Sequence, residues 1–258
     1  MNWLILTTGN LPEAYVMADF LLGKSQEVAV VNIRGRTRRQ QRKVLKRLAK
    51  KRGWLVVLDV LLGRLVRQWY LDPTIQPFPE ITPAVAAELQ DRCRYVEVAD
   101  PHAPETLQEV TALHPDYILF LGAPVIRPEL FSLAGRGAVN WHHGISPDYR
   151  GSDCVLWAMA NNDFDQIGFT IHRVSAVVDG GGILLQRKVP VCPDVEFSEA
   201  VADIARQGLA GFVEVVERIL SGQTLEAKEQ EKGGRHYPPI GWSAMRRAAR
   251  NYGRYGTS

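Results

Sequence analysis

Apolar and polar positions along the chain alternate between two periods. Trp3 to Thr7 is a short apolar run closed by Thr8-Gly9-Asn10, and residues 12–22 follow with helical spacing. Residues 27–33 form a second apolar run rich in valine, so the N-terminus reads as strand, glycine turn, helix, strand, a right-handed βαβ unit. The same reading gives a strand at 94–98, a helix at 104–113, a buried strand at 117–121 and a short helix at 128–133. A strand at 138–140 comes next, then a helix at 151–161 and strands at 168–174 and 183–191. Residues 198–220 carry apolar side chains at Val201, Ile204, Leu209, Phe212, Val215, Val216 and Ile219. That is a long amphipathic helix, with Ser198 as its expected N-cap and Gly222 just past its end. Strands alternating with helices predict an α/β protein with a mostly parallel sheet.

Two segments interrupt this rhythm. Residues 37–71 read as a basic helix followed by an apolar one, LVVLDVLLGRLVRQWYL, and residues 72–83 hold Pro73, Pro77, Pro79 and Pro83, a stiff connector. About 35–83 is therefore read as an insertion on an α/β core. Residues 226–258 are read as a short C-terminal extension, with His236, Tyr237 and Trp242 expected to pack it onto the domain rather than to stack a ligand.

Composition narrows the class. The chain has 258 residues, 46% hydrophobic and 23% charged, with formal charge +3, all ordinary for a globular domain. The charge is unevenly placed: from Arg34 to Arg52 there are eleven Lys or Arg residues and no acid. A solvated helix face, a site for the phosphates of a nucleotide-linked ligand, and a helix laid on an anionic membrane are the three readings of that run. Cys93, Cys154 and Cys192 have neither disulfide-framework nor zinc spacing. No secretory signal and no spanning run of ~20 apolar residues is read. The expected location is the cytoplasm, with peripheral attachment at the inner membrane surface as an option.

The chemistry concentrates in VNWHHGISPDYRG (139–151) and VVDGGGIL (177–184). Alternation along a strand puts Asn140 and His142 on one face at the strand's carboxyl end, where open parallel sheets bind ligands. Asp179 follows His142 by 37 residues in a glycine-rich turn. An amide that donates to a developing oxyanion, an imidazole that moves a proton and a carboxylate that orients it suit acyl-type transfer. By spacing alone, a turn asparagine with a surface histidine remains the ordinary alternative. A metal site from His142, His143 and Asp179 is weaker, because His143 faces the other way if the strand continues.

In order along the chain, Asn140, His142, Pro147, Tyr149, Arg150, Gly151, Asp179 and Gly181 resemble the catalytic core of the folate-dependent formyltransferases. That family includes glycinamide ribonucleotide transformylase, methionyl-tRNA formyltransferase and the sugar N-formyltransferases. The resemblance implies a three-layer αβα formyltransferase-like fold for 1–225. It implies transfer of a formyl group from 10-formyltetrahydrofolate to a primary amine without a metal, and Asn140, His142 and Asp179 as the catalytic groups. It further implies a pterin pocket formed by Phe120, Leu121, Gly122, Ala123 and Pro124 with Val174, Ser175, Val177 and Val178. Gly9, Asn10, His143, Tyr149 and Arg150 are the acceptor-side candidates. The loop Gly144-Ile145-Ser146 departs from the family's usual Ser-Leu-Leu. The 38 residues after Leu220 are too few for a tRNA-binding barrel, so Met-tRNA is not expected as acceptor. An amino sugar on a nucleotide carrier is preferred over glycinamide ribonucleotide, and a homodimer is open. The reading of a different class is a non-catalytic folate- or nucleotide-binding relative with a membrane- or partner-binding insertion.

Overall fold

A computed structural model describes residues 1–35, 38–231 and 233–255. Arg36 and Thr37, inside the basic run, lie outside the described residues. A seven-stranded sheet runs in the order β3-β2-β1-β4-β5-β7-β8. It comprises β1 (Asn2–Thr8), β2 (Glu27–Ile33), β3 (Arg94–Val98), β4 (Tyr117–Leu121), β5 (Gly137–His142), β7 (Gly168–Arg173) and β8 (Ile183–Lys188). The first five are parallel, while β7 and β8 are antiparallel additions beyond β5. The strand order doubles back at β1, so the chain leaves the sheet on both faces.

Burial on both faces explains the near-continuous apolar strands. On one face Trp3, Ile5, Val28, Val30, Leu119, Leu121, Val139 and Trp141 pack with α1 (Pro12–Gly23) and α8 (Phe197–Leu220). On the other, Leu4, Leu6, Val31, Ile118, Phe120 and Ala138 pack with α5 (Pro104–Ala112) and α6 (Pro128–Phe131). This is the three-layer arrangement the resemblance implies.

The basic and apolar helices expected within 37–71 are α2 (Arg38–Arg52) and α3 (Trp54–Val66), with a 3-10 turn at Arg67–Trp69. Two helices were not expected. The first, α4 (Pro83–Arg92), starts as a capped helix should: Thr82 accepts from Val85 N at 3.3 Å and Pro83 takes the first turn. The second is α9 (Trp242–Tyr255), which packs on α7 (Cys154–Ala160) and on α3. Ser198 is not the N-cap of α8. Glu196 holds that position without a side-chain cap bond, and the Ser198 hydroxyl accepts from Asp72 N at 2.8 Å. Gly222 does close α8, at φ +76°. Among the described residues no helix is long and apolar enough to cross a membrane.

Candidate active site

The site is built on the carboxyl half of β5. Ala138, Asn140 and His142 share one face of that strand, and β7 adds Thr170 and His172 beside them, with Asn140 opposite His172 and His142 opposite Thr170. The Asn140 amide donates to His172 Nε2 at 3.0 Å, while His172 Nδ1–H donates to Arg173 O at 2.8 Å. Those two bonds define a neutral His172. Burial acts in the same direction, outweighing the Arg173 carbonyl and Asp179 and holding His172 below the ordinary histidine value. His142, only 6% exposed, donates from Nε2 to Tyr149 O at 2.7 Å. In the neutral ring this bond leaves the lone pair on Nδ1.

Asp179 closes the site from the turn after β7. Its φ of +51° places the carboxylate back over the strand. Oδ2 accepts from Gly151 N at 3.2 Å and lies 3.8 Å from His142 Nδ1, and Oδ1 lies 3.8 Å from His172 Nε2. The three polar groups picked out by spacing therefore converge, with His172 as a fourth that spacing did not pick out. The sequence reading supplied a strand at 168–174 with Thr170 and His172 on one face, but not its antiparallel pairing with β5. Two glycines make this geometry possible. A Cβ on Gly144 would stand 2.6 Å from Tyr149 O and 2.9 Å from His142 Nε2, into the bond that orients the imidazole. A Cβ on Gly181 would run into the Arg173 carbonyl at 1.8 Å, so the turn carrying Asp179 closes only over a bare backbone.

Other expected residues take different places. His143 is turned to the opposite face, stacked on Trp141 with ring centroids 4.0 Å apart. Burial, with His142 as a lesser cause, pushes it down to about 4. It does not meet Asp179, and among the described residues no group of three or more His, Cys, Asp or Glu could hold a metal ion. Tyr149 is buried, bonded to Asp163 at 2.9 Å and Asn161 at 3.2 Å, and stacked on Tyr237 at 5.0 Å. Arg150 bonds the carbonyls of Pro147 and Gly233. Tyr149 and Arg150 thus hold the loop to the C-terminal segment, as β6 (Tyr149–Gly151) and β9 (Arg235–Tyr237) pair in parallel. Tyr237 packs as expected, also tilted against Trp157 at 5.2 Å.

Gly9 and Asn10 lie at the end of β1, two strands and roughly 10 Å from β5 along the same carboxyl edge. Asn10 N donates to Asn32 at 3.0 Å, and its side-chain oxygen accepts from Tyr95 at 2.7 Å and Tyr15 at 3.0 Å. Arg34 pairs Glu97 at 2.7 Å beside them. The two segments expected to hold a pterin do meet: Phe120, Ala123 and Val174 join one apolar cluster, and Val174 N donates to Ala138 O at 2.8 Å. Val177 and Val178 are exposed above it. Apolar side chains and strand-end backbone beside Asn140 suit a flat, hydrogen-bonding ring.

Residues 25–216 match the family model described as formyl transferase. Curated relatives include methionyl-tRNA formyltransferase of Chlorobium chlorochromatii, 29% identical over 161 residues, covering 62% of this chain and 51% of that protein. That of Geobacter sulfurreducens is 26% identical over 129 residues, covering 50% and 40%. The chain spans about half the length of the curated relatives it matches. Among solved structures, a sugar N-formyltransferase from a Shewanella species shares the fold at TM-score 0.61 and 12% identity, covering 98% of this chain and 88% of that one. Glycinamide ribonucleotide transformylase 1 of Symbiobacterium toebii does so at 0.58 and 14%, covering 89% and 93%. The formyltransferase PseJ from Anoxybacillus kamchatkensis, in complex with a UDP-linked formamido sugar and tetrahydrofolate, gives 0.52 and 16%, covering 96% and 98%. The expectation against Met-tRNA finds no support here, since the curated relatives are methionyl-tRNA formyltransferases.

Proposed function

The chain belongs to the formyl transferase family, and we propose that it moves a formyl group from 10-formyltetrahydrofolate to a primary amine at the Asn140–His142–Asp179 site. The carrying observation is that His142 Nδ1, its lone pair directed by the Nε2–Tyr149 bond, lies 3.8 Å from the Asp179 carboxylate. The folate would supply the formyl group, and the proton that His142 takes from the attacking amine would pass to the departing folate nitrogen as its bond to the formyl carbon breaks. His142 accepts the proton lost by the attacking amine at Nδ1, where Asp179 stabilises the imidazolium. Asn140 donates its second amide hydrogen to the oxygen that gains negative charge, while His172 fixes the plane of that amide. Phe120 to Pro124 and Val174 to Val178 hold the pterin by backbone groups and apolar contact.

For the acceptor, an amino sugar on a nucleotide carrier is the reading preferred. It is supported by polar groups along the same edge, Asn10, Asn32 and Arg34, and by the fold shared with sugar N-formyltransferases. Met-tRNA is the second reading, favoured by the identity of the curated relatives and by the basic α2. The test incubates the protein with 10-formyltetrahydrofolate and, separately, amino-sugar nucleotides, glycinamide ribonucleotide and Met-tRNA. Mass spectrometry reads the formyl increment on each. Formylation of a sugar nucleotide supports the preferred acceptor, and formylation of Met-tRNA alone replaces it. No transfer to any acceptor, together with no binding of the folate by calorimetry, overturns the proposed activity.

A further inference from the structure

The helix α3 is apolar on two faces, and only one of them is covered. Val57, Val60 and Val66 are buried toward the body of the protein, where Asp59 accepts from the backbone and hydroxyl of Ser243 at the start of α9, at 2.9 and 2.8 Å. On the other face Leu55, Leu58, Leu62, Leu65 and Trp69 stand 82, 60, 40, 73 and 75% exposed, and Trp54 adds 63%. Their spacing of 3, 4, 3 and 4 residues makes one continuous stripe, about 20 Å long at helical rise. Single exposed leucines are ordinary; a row of four leucines ending in tryptophan is a docking surface.

The neighbouring helix indicates what the surface meets. Through Gly53, α2 turns back to pack on α3, setting its half-buried Val44, Leu45, Leu48 and Ala49 toward the rest of the molecule. Its Arg42, Lys43, Lys46, Arg47, Lys50 and Lys51 are exposed and, among the described residues, form no ion pair. No acidic residue occurs between Glu27 and Asp59. A leucine stripe with tryptophan at both ends, flanked by an uncompensated cationic helix, is the composition of an interfacial helix pair on anionic lipid.

Charge complementarity selects this occupant over two others. A second copy packing stripe to stripe would bring two α2 helices with the same strong positive charge together. Positions flanking the stripe (Asp59, Leu61, Val66, Gln68) offer no complementary pair to offset that. Nucleic acid would neutralise α2, yet it has no use for exposed leucines, and α2 carries no aromatic residue to stack a base. At 13 residues α3 is too short to span a bilayer, so the contact lies in the interface plane. We propose that the exposed stripe of α3 and the cationic face of α2 together dock this protein on the anionic surface of a lipid bilayer.

The test uses the full chain and phosphatidylcholine vesicles with or without phosphatidylglycerol, read by cosedimentation. Binding is expected to be at least about tenfold stronger to the anionic vesicles at low salt and to fall severalfold at high salt. Lys46→Glu with Arg47→Glu should weaken it by roughly fivefold or more for each reversed charge. Leu58→Glu with Leu62→Glu, both on the exposed face, should weaken it about tenfold or more with the thermal unfolding midpoint kept. A blue shift of tryptophan emission on vesicle addition should be lost in Trp54→Phe with Trp69→Phe. Equal binding to neutral and anionic vesicles, or none to either, overturns the proposal. So does binding indifferent to the leucine substitutions, a concentration-dependent dimer that those substitutions abolish, or salt-sensitive RNA binding without vesicle binding. The readout involves no formyl transfer, so it stands or fails independently of the proposed activity.

Discussion

Alternation along a strand and a glycine-rich turn singled out Asn140, His142 and Asp179, the family resemblance implied their roles, and the structure brings the three side chains together. Their roles lead to a direct expectation. Asn140→Ala should lower kcat/KM by about 10²–10³ with the far-ultraviolet spectrum unchanged, because it removes one donor to the oxyanion and leaves strand burial intact. Steady-state kinetics with the acceptor identified by mass spectrometry decides this; activity within a few-fold of wild type would remove the assigned role. His172 was not legible as part of the site, since its membership depends on β7 pairing antiparallel to β5, a contact across 32 residues. His143 was legible only as facing away from His142. Burial holding it down to about 4 makes a pH prediction. Between about 6.5 and about 4 the unfolded chain binds a proton at this residue and the folded chain does not, so the native state loses stability as pH falls through that window. From pH 7 to pH 5 the loss amounts to about 2 kcal/mol. Urea unfolding at the two pH values, compared with His143→Gln, should show a correspondingly smaller drop in the variant.

At the level of elements, long periodic segments carry their bounds in the sequence nearly to their ends, whereas α4 and α9 do not. The start of α4 carries a clear signal, Thr82-Pro83, but Pro73, Pro77 and Pro79 just before it give the stretch the composition of a connector throughout. The case of α9 is different. Two of its four buried residues, Ala244 and Ala248, are small, and with Met245 and Tyr252 they are set among arginines, so the apolar stripe is narrow. The start of α8 shows how a local rule yields to a tertiary contact: Ser198 is a good capping residue two positions past the N-cap Glu196, and its hydroxyl serves Asp72 N instead. Ser198→Ala should cost about 1 kcal/mol, the usual worth of such a bond, and lower the melting midpoint by roughly 2–4 °C. Calorimetry would detect it; an unchanged midpoint would mean that Asp72 N finds water instead.

Across the whole molecule, the C-terminal segment is held both by α3, whose Asp59 accepts from Ser243, and by the rest of the α/β body. The residues 235–237 pair with Tyr149–Gly151, Trp157 donates to Pro238 O at 2.8 Å, and Tyr252 donates to carbonyls of Cys192 and Val195 at 2.8 and 2.7 Å. Met245 is fully buried where α9 meets its neighbours. Met245→Ala should therefore destabilise the protein by about 2–5 kcal/mol, as for core truncations elsewhere. A shift in the urea midpoint too small for 1 kcal/mol would show that α9 contributes little to the cooperative core.

By itself the sequence determined the βαβ order, the two-sided burial of the parallel strands and the identity of the polar groups at the end of β5. Each of these is written in residues close together in the chain, as period, turn chemistry or a glycine where a side chain would collide. Only the tertiary structure decided that Asp179 lies 3.8 Å from both histidines, that Tyr149 and Arg150 anchor a loop, and that one face of α3 is covered while its leucine stripe is not. Those outcomes depend on contacts between distant segments, whose strength comes from close packing and shared hydrogen bonds rather than from the preferences of any one stretch.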